Sequence, residues 1–127
     1  MAARILIIED DPPSAALARY LLSAAGYTVL VAIDGGTGIR AALEGNPDLV
    51  LCDLQLPVLT GYDVARQLRD HQGWRRVPLI AVSAFSMPGG SDKAITAGFD
   101  AYLSKPIAPE SFVADVEALL PPELRSG

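Results

Sequence analysis

Five side chains stand out for where they fall as well as for what they are: Glu9, Asp10, Asp53, Ser83 and Lys105. Each lies on the last residue of a short apolar run or just past it. The clearest case is Leu49-Val50-Leu51-Cys52-Asp53, an apolar stretch flanked by Pro47 and Pro57. Such a run is too short for a helix and reads as a strand covered on both faces, as in a parallel sheet. If these strands end at one edge, Glu9, Asp10, Asp53, Ser83 and Lys105 meet there. Clustered carboxylates repel one another, so the grouping is costly unless a cation intervenes. A hard divalent ion such as magnesium takes one or two carboxylates, keeps several waters and meets a phosphate. Lys105 offers a compact point charge and Ser83 a hydroxyl donor for phosphoryl oxygens. A carboxylate nucleophile, a metal, a cation and a hydroxyl are what transfer of a phosphoryl group onto Asp53 requires, because that catalysis is mostly positioning and charge stabilisation.

The elements that must position these groups follow from the pattern of apolar runs and breakers. Arg4 to Ile8 reads as a first buried strand, ending in Glu9-Asp10-Asp11. Pro12-Pro13 then opens a helix near Pro13 or Ser14, which Gly26 ends. Tyr27 to Ala32 is a second strand, and a turn at Asp34 to Gly38 leads into a helix from Thr37 to Glu44. Asn46-Pro47-Asp48 turns into the strand that carries Asp53. Gly61 opens a third helix with Val64, Ala65 and Leu68 inward and Arg66, Arg69 and Asp70 solvated. Val77 to Ser83 is a fourth strand, and Ala84 to Gly90 a loop expected to be mobile. Ser91 or Asp92 caps a fourth helix that ends at Gly98. Asp100 to Leu103 is a short fifth strand. The last helix runs from Pro109 to Leu120, with Phe112, Val113, Val116, Leu119 and Leu120 inward, and Pro121-Pro122 stops it. The pattern is (βα)5, which predicts a doubly wound, five-stranded parallel sheet with helices on both faces. In the order 2-1-3-4-5, strands one and three flank the switch-point crevice, which puts Asp10 beside Asp53. One domain over residues 1–121 and a tail over 122–127 are expected, with no effector domain.

Composition narrows the partners. The formal net charge of the 127-residue chain is -5, and direct nucleic-acid binding needs a basic surface. No apolar run approaches a membrane span. The single cysteine, Cys52, reads as a small buried hydrophobe and allows no disulfide. A cytoplasmic setting is expected.

Four motifs in order, Ile7-Ile8-Glu9-Asp10-Asp11-Pro12, Asp53-Leu54-Gln55-Leu56-Pro57 with Gly61, Ala81-Val82-Ser83-Ala84 and Lys105-Pro106, resemble the response-regulator receiver domain of two-component signalling, over essentially the whole chain. The resemblance implies a flavodoxin-like fold and a set of roles. Asp53 is the phosphoacceptor, Asp10 a direct magnesium ligand, Glu9 a ligand through water, and Gln55 a ligand through its backbone carbonyl. Ser83 and Lys105 bind the phosphoryl group, Tyr102 is an aromatic switch that turns inward when Ser83 moves, and Lys105-Pro106 is a cis peptide. Partners implied are a histidine kinase or histidine phosphotransfer protein, acting in a phosphorelay, and a downstream protein target on the face of helix four, strand five and helix five. A homodimer through that face stays open. Ser83 stands where threonine is more frequent in the family, and Thr60 where an acidic residue is. Gln55 and Phe85 are expected to flank the phosphate. The stretch Ala84 to Gly89 is similar to that of some single-domain receivers in cell-cycle and hybrid-kinase relays.

Plainer readings apply to several residues. Taken alone, Asp53 is a solvated strand-end aspartate and Lys105 a surface lysine. Asp11 suits a helix N-terminus, Asp34 and Asp48 suit turns, His71 is solvated, and Trp74 packs against the neighbouring helix. Two rival functions remain: a docking module that is never phosphorylated, and a phosphatase working through an aspartyl-phosphate. Against the second, haloacid-dehalogenase phosphatases carry an aspartate two positions after the nucleophile, and Gln55 stands there.

Overall fold

The computed structural model describes residues 3–74, 76–83 and 90–125. Five parallel strands, β1 (Arg4–Ile8), β2 (Thr28–Ala32), β3 (Leu49–Asp53), β4 (Leu79–Ser83) and β5 (Ala101–Ser104), form one sheet in the order β2-β1-β3-β4-β5. Every neighbouring pair is parallel. The helices are α1 (Pro12–Ala24), α2 (Gly35–Gly45), α3 (Gly61–Arg69), α4 (Gly90–Ala97) and α5 (Pro109–Glu117). Among the described residues, no helix is long and apolar enough to cross a membrane.

Side chains alternate across a strand, and the alternation here feeds two cores. Leu6, Ile8, Val50, Cys52, Leu79 and Ala81 point to the face covered by Ala42 of α2, Val64, Ala65 and Leu68 of α3, and Ala94 and Ala97 of α4. Ile5, Ile7, Leu49, Leu51, Ile80 and Val82 point to the other face, under Ala18 and Leu22 of α1 and Phe112 and Val116 of α5. All five residues of β3 and all five of β4 are buried. Covered on both faces, they need a continuous apolar run, which is what their sequences supply.

Side chains set most of the described helix starts. The Asp11 carboxylate accepts the Ser14 N–H at 3.1 Å, and that of Asp34 accepts the Thr37 N–H at 2.7 Å. Thr60 and Asp63 cap each other across the first turn of α3. Asp34 thus caps α2, which begins two residues before the expected Thr37; its glycines did not delay the start. Asp48 accepts the Arg4 N–H at 2.8 Å and ties the starts of β1 and β3 together. α4 begins at Gly90, so Ser91 and Asp92 lie inside its first turn instead of capping it. α5 ends at Glu117, three residues short of the expected Leu120, although Leu120 is still buried. Val113 and Leu119 are half-buried. β4 starts at Leu79, since Pro78 has no N–H to give the ladder; its carbonyl accepts from Val50 at 3.0 Å. Of the expected loop Ala84 to Gly90, the last residue opens α4 and the rest, including Phe85, lies outside the described residues, as do residues 126–127 of the tail.

One surface expectation fails. Arg69, expected in solvent like Arg66 and Asp70, has a guanidinium that is mostly covered. Its Nε donates to the Gly98 carbonyl at 2.9 Å and its Nη1 to those of Val77, at 2.8 Å, and Trp74. Its Nη2 donates to Asp100 Oδ2 at 2.8 Å, an oxygen that also accepts the Leu79 N–H. Gly98 has φ +121, and a Cβ there would lie 2.7 Å from Arg69 Cγ. A planar five-donor fork can tie the end of α3 to the starts of β4 and β5 at once. Trp74 is buried in the core under α3, as expected. We predict that Arg69→Ala lowers unfolding stability by about 3 kcal/mol, since it strands buried acceptors. Arg69→Lys, whose ammonium cannot span them, recovers less than half of that. Urea titration of the two variants checks both.

Candidate functional site at the carboxyl edge of the sheet

The strands deliver the acidic and basic groups to one rim because all five run the same way. Glu9 follows β1, its N–H donating to the Ala32 carbonyl at the end of β2 at 2.9 Å. Asp53 is the last residue of β3 and Ser83 the last of β4, and both are buried. Lys105 follows β5, and its N–H donates to the Ser83 carbonyl at 2.8 Å. β1 and β3 are neighbours whose outgoing connections cover opposite faces, α1 on one side and α3 on the other. The rim between them is therefore the switch-point crevice of a doubly wound sheet.

Lys105 Nζ lies 3.0 Å from Asp53 Oδ2 and also donates to Glu9 Oε1. Asp53 Oδ1 accepts the Gln55 N–H at 2.9 Å, and Glu9 Oε2 accepts the Asp11 N–H at 3.2 Å. One carboxylate oxygen from each of Glu9, Asp10 and Asp53 falls within 4.8 Å of the other two. Glu9 and Asp53 are buried and Asp10 is exposed. Burial pushes the Glu9 carboxyl up to about 7, helped by its hydrogen bond to Asp53 and opposed by Lys105. Burial alone would lower the Lys105 ammonium. Its hydrogen bonds to Glu9 and Asp53 outweigh that and hold it above its ordinary value. Cys52, one residue before Asp53, has its thiol pushed up by burial and by the adjacent carboxylates, so it stays an inert core group.

Three oxygen donors with neither thiolate nor imidazole among them make a set for a hard cation. The coverage of Glu9 and Asp53 adds to the demand for positive charge, which Lys105 meets in part. The donor set thus fits magnesium, with Glu9, Asp10 and Asp53 as the residues able to hold it.

The other expected residues sit as follows. Gln55 is exposed, with its backbone N–H on Asp53. Tyr102, on β5 opposite Ala81, is half-buried against the core that underlies α2, α3 and α4. The Lys105–Pro106 peptide is cis. Asp11 is exposed and caps α1, the role its position suggested. His71 is exposed, its ring Nδ1 hydrogen-bonded to the Gln67 carbonyl. Sequence reasoning missed how closely Gly61 is pressed onto the site. A Cβ there would meet the Asp53 carbonyl oxygen at 2.4 Å and Leu54 Cα at 2.7 Å. The glycine at the start of α3 was legible, but its contact with the backbone that carries Asp53 was not.

Residues 5–117 match the family model of the response regulator receiver domain. The polar-differentiation response regulator DivK of Brucella ovis is 36% identical over 120 residues, spanning 94% of this chain and 98% of DivK. The receiver domain of the sensor histidine kinase PA1611 from Pseudomonas aeruginosa, solved with magnesium in its active-site cleft, superposes with a TM-score of 0.85 at 32% identity. That match covers 94% of this chain and 98% of that one. The chemotaxis response regulator CheY4 of Vibrio cholerae, at 23% identity and TM-score 0.90, covers 94% of this chain and 100% of its own, and shows the shared fold.

Gly61→Ala should force α3 away from the end of β3. The expected loss is about 1–3 kcal/mol of stability, the usual range for overpacking, read as a lower denaturation midpoint at unchanged slope.

Proposed function

The chain belongs to the response regulator receiver domain family of two-component signalling, and from that membership we propose that it is a phosphorylation switch acting through Asp53. The observation that carries the reading is Lys105 Nζ at 3.0 Å from Asp53 Oδ2, with Glu9 and Asp10 oxygens beside them. In this reading a histidine kinase or phosphotransfer protein presents a phosphorylated imidazole. A carboxylate oxygen of Asp53 attacks phosphorus, the P–N bond breaks, and the imidazole nitrogen keeps the electron pair and takes up a proton. Magnesium, when bound, neutralises charge on the carboxylates and the transferring phosphoryl oxygens. Glu9, Asp10 and Asp53 would hold it, with Gln55 contributing its backbone carbonyl.

The chain's own residues supply the rest. Lys105 exchanges a carboxylate oxygen for a phosphoryl oxygen, a short move for an ammonium on a flexible stem. The Ser83 hydroxyl donates to a second phosphoryl oxygen. Ser83 and Lys105 are joined through the backbone hydrogen bond at 2.8 Å, so a pull on one strand end is felt by the other. Tyr102 lies on the same strand as that junction and follows it inward. The added charge thereby biases the face of α4, β5 and α5 toward a different packing, to be read by a protein target. The chain catalyses only its own phosphorylation and dephosphorylation, in a cytoplasmic setting.

Incubated with acetyl phosphate and magnesium, the wild type gains a phosphoryl group and Asp53→Asn gains none. Undiminished labelling of that variant ends the acceptor assignment. Magnesium also stabilises the folded chain by linkage, by about 1.4 kcal/mol at ten times its dissociation constant. In thermal melts Asp10→Asn and Asp53→Asn should each blunt that rise, and an equal rise in all three proteins would remove the metal assignment.

A further inference from the structure

We propose that a small cavity under the acidic rim closes when Asp53 is phosphorylated, and that α5 swings toward the site about its fixed carboxyl end as the cavity closes, an inference that rests on the phosphoacceptor reading above. The cavity has a volume of about 20 Å³ and lies between the sheet, α1 and α5. Glu9 and Asp53 line it together with Ala18 of α1, Val82 of β4, Ile107, and Phe112 of α5. A space of that size is little more than one water needs, and water finds few partners among such walls. Packed interiors leave few voids, and this one lies against the phosphoacceptor.

Two of its walls adjoin the residues that engage the phosphoryl group. Val82 precedes Ser83, and Ile107 lies two residues after Lys105. In the proposed switch Ser83 and Lys105 are drawn to the phosphoryl oxygens, and Val82 and Ile107 travel with them. The two ends of α5 are held unequally. α1, α2 and α3 each begin on a capping side chain, whereas α5 begins on Ala108, which offers none. Phe112, near that start, is buried against the cavity. The other end is tied down. The Tyr27 hydroxyl donates to Glu117, and Arg125 Nε donates to the Leu120 carbonyl at 3.0 Å. Val116 and Leu120 are buried, and Leu124 packs against the same core as Tyr27. A helix pinned at one end and uncapped at the other turns about the pinned end.

Hydrostatic pressure reads the cavity directly, because it favours the state from which empty space has been lost. The probe is beryllofluoride with magnesium, a stable mimic of a phosphoryl group on a carboxylate. Its affinity is measured by NMR at ambient pressure and at about 200 MPa. Neutralising charge has its own volume change, which the variants share, so the proteins are compared with one another. Ala18→Val adds bulk to the cavity wall and Ile107→Val removes it. Pressure should favour binding about twofold more in wild type than in Ala18→Val, and more again in Ile107→Val. Signals of Ile107 and Phe112 should shift on binding while those of Val116 stay. The same pressure response in all three proteins overturns the closure, as does the reverse order. Should Ala18→Val fold poorly, Ile107→Val against wild type decides the matter alone. Shifts at Val116 as large as those at Phe112 overturn the swing about a fixed end. Failure of the wild type to bind beryllofluoride at ambient pressure is a different result and strikes the acceptor reading itself.

Discussion

Everything at the carboxyl edge of this sheet turns on negative charge held at close quarters against one ammonium. Glu9, Asp10 and Asp53 bring oxygens within 4.8 Å of one another, and Lys105 lies against two of the three carboxylates. In water such a group would spread apart. Here Glu9 and Asp53 cannot, because each is attached to a strand end buried on both sides. Burial first, and then the neighbouring Asp53, raises the Glu9 carboxyl. A proton, a metal ion or an ammonium each relieves the crowded negative charge, and that shared demand makes the rim responsive to an incoming charged group.

The rest of the fold keeps that arrangement from relaxing. Fully buried Leu, Ile, Val and Phe side chains each contribute on the order of 1.5–3 kcal/mol, and the two cores hold many of them. The sheet can therefore carry an unfavourable rim. Gly61 lets α3 close directly over the backbone of Asp53, and Asp11 anchors α1 just beyond Glu9. At the other end of the molecule, Arg69 and Asp100 tie α3 to the starts of β4 and β5. The sheet and its helices are thereby tied together at both ends. In the proposed switch the carboxyl edge would rearrange while the layers beneath stay packed.

Much of this was legible from residue order. The apolar run from Leu49 to Cys52, bracketed by prolines, announced a buried strand with a carboxylate at its tip. The alternation of short apolar runs with helical patterns gave the parallel, doubly wound architecture, and right-handed connections left few other ways to fold it. Boundaries were less visible. α2 starts earlier than its glycines suggested because Asp34 caps it, and α5 stops earlier because Leu120 can be buried from a turn as well as from a helix. Burial pattern alone does not separate the two.

Residue types and their positions along the chain determined the strands, the cores and which groups gather at the rim, because hydrophobic periodicity and strand direction are written locally. Only the tertiary structure decided that Lys105 bridges Glu9 and Asp53, that Arg69 is an internal tie and no surface cation, and that Val58 sits in a left-handed turn with its side chain in solvent. Those outcomes depend on distances between segments far apart in the chain, or on a backbone angle that the residue's own preference opposes. No local pattern encodes either.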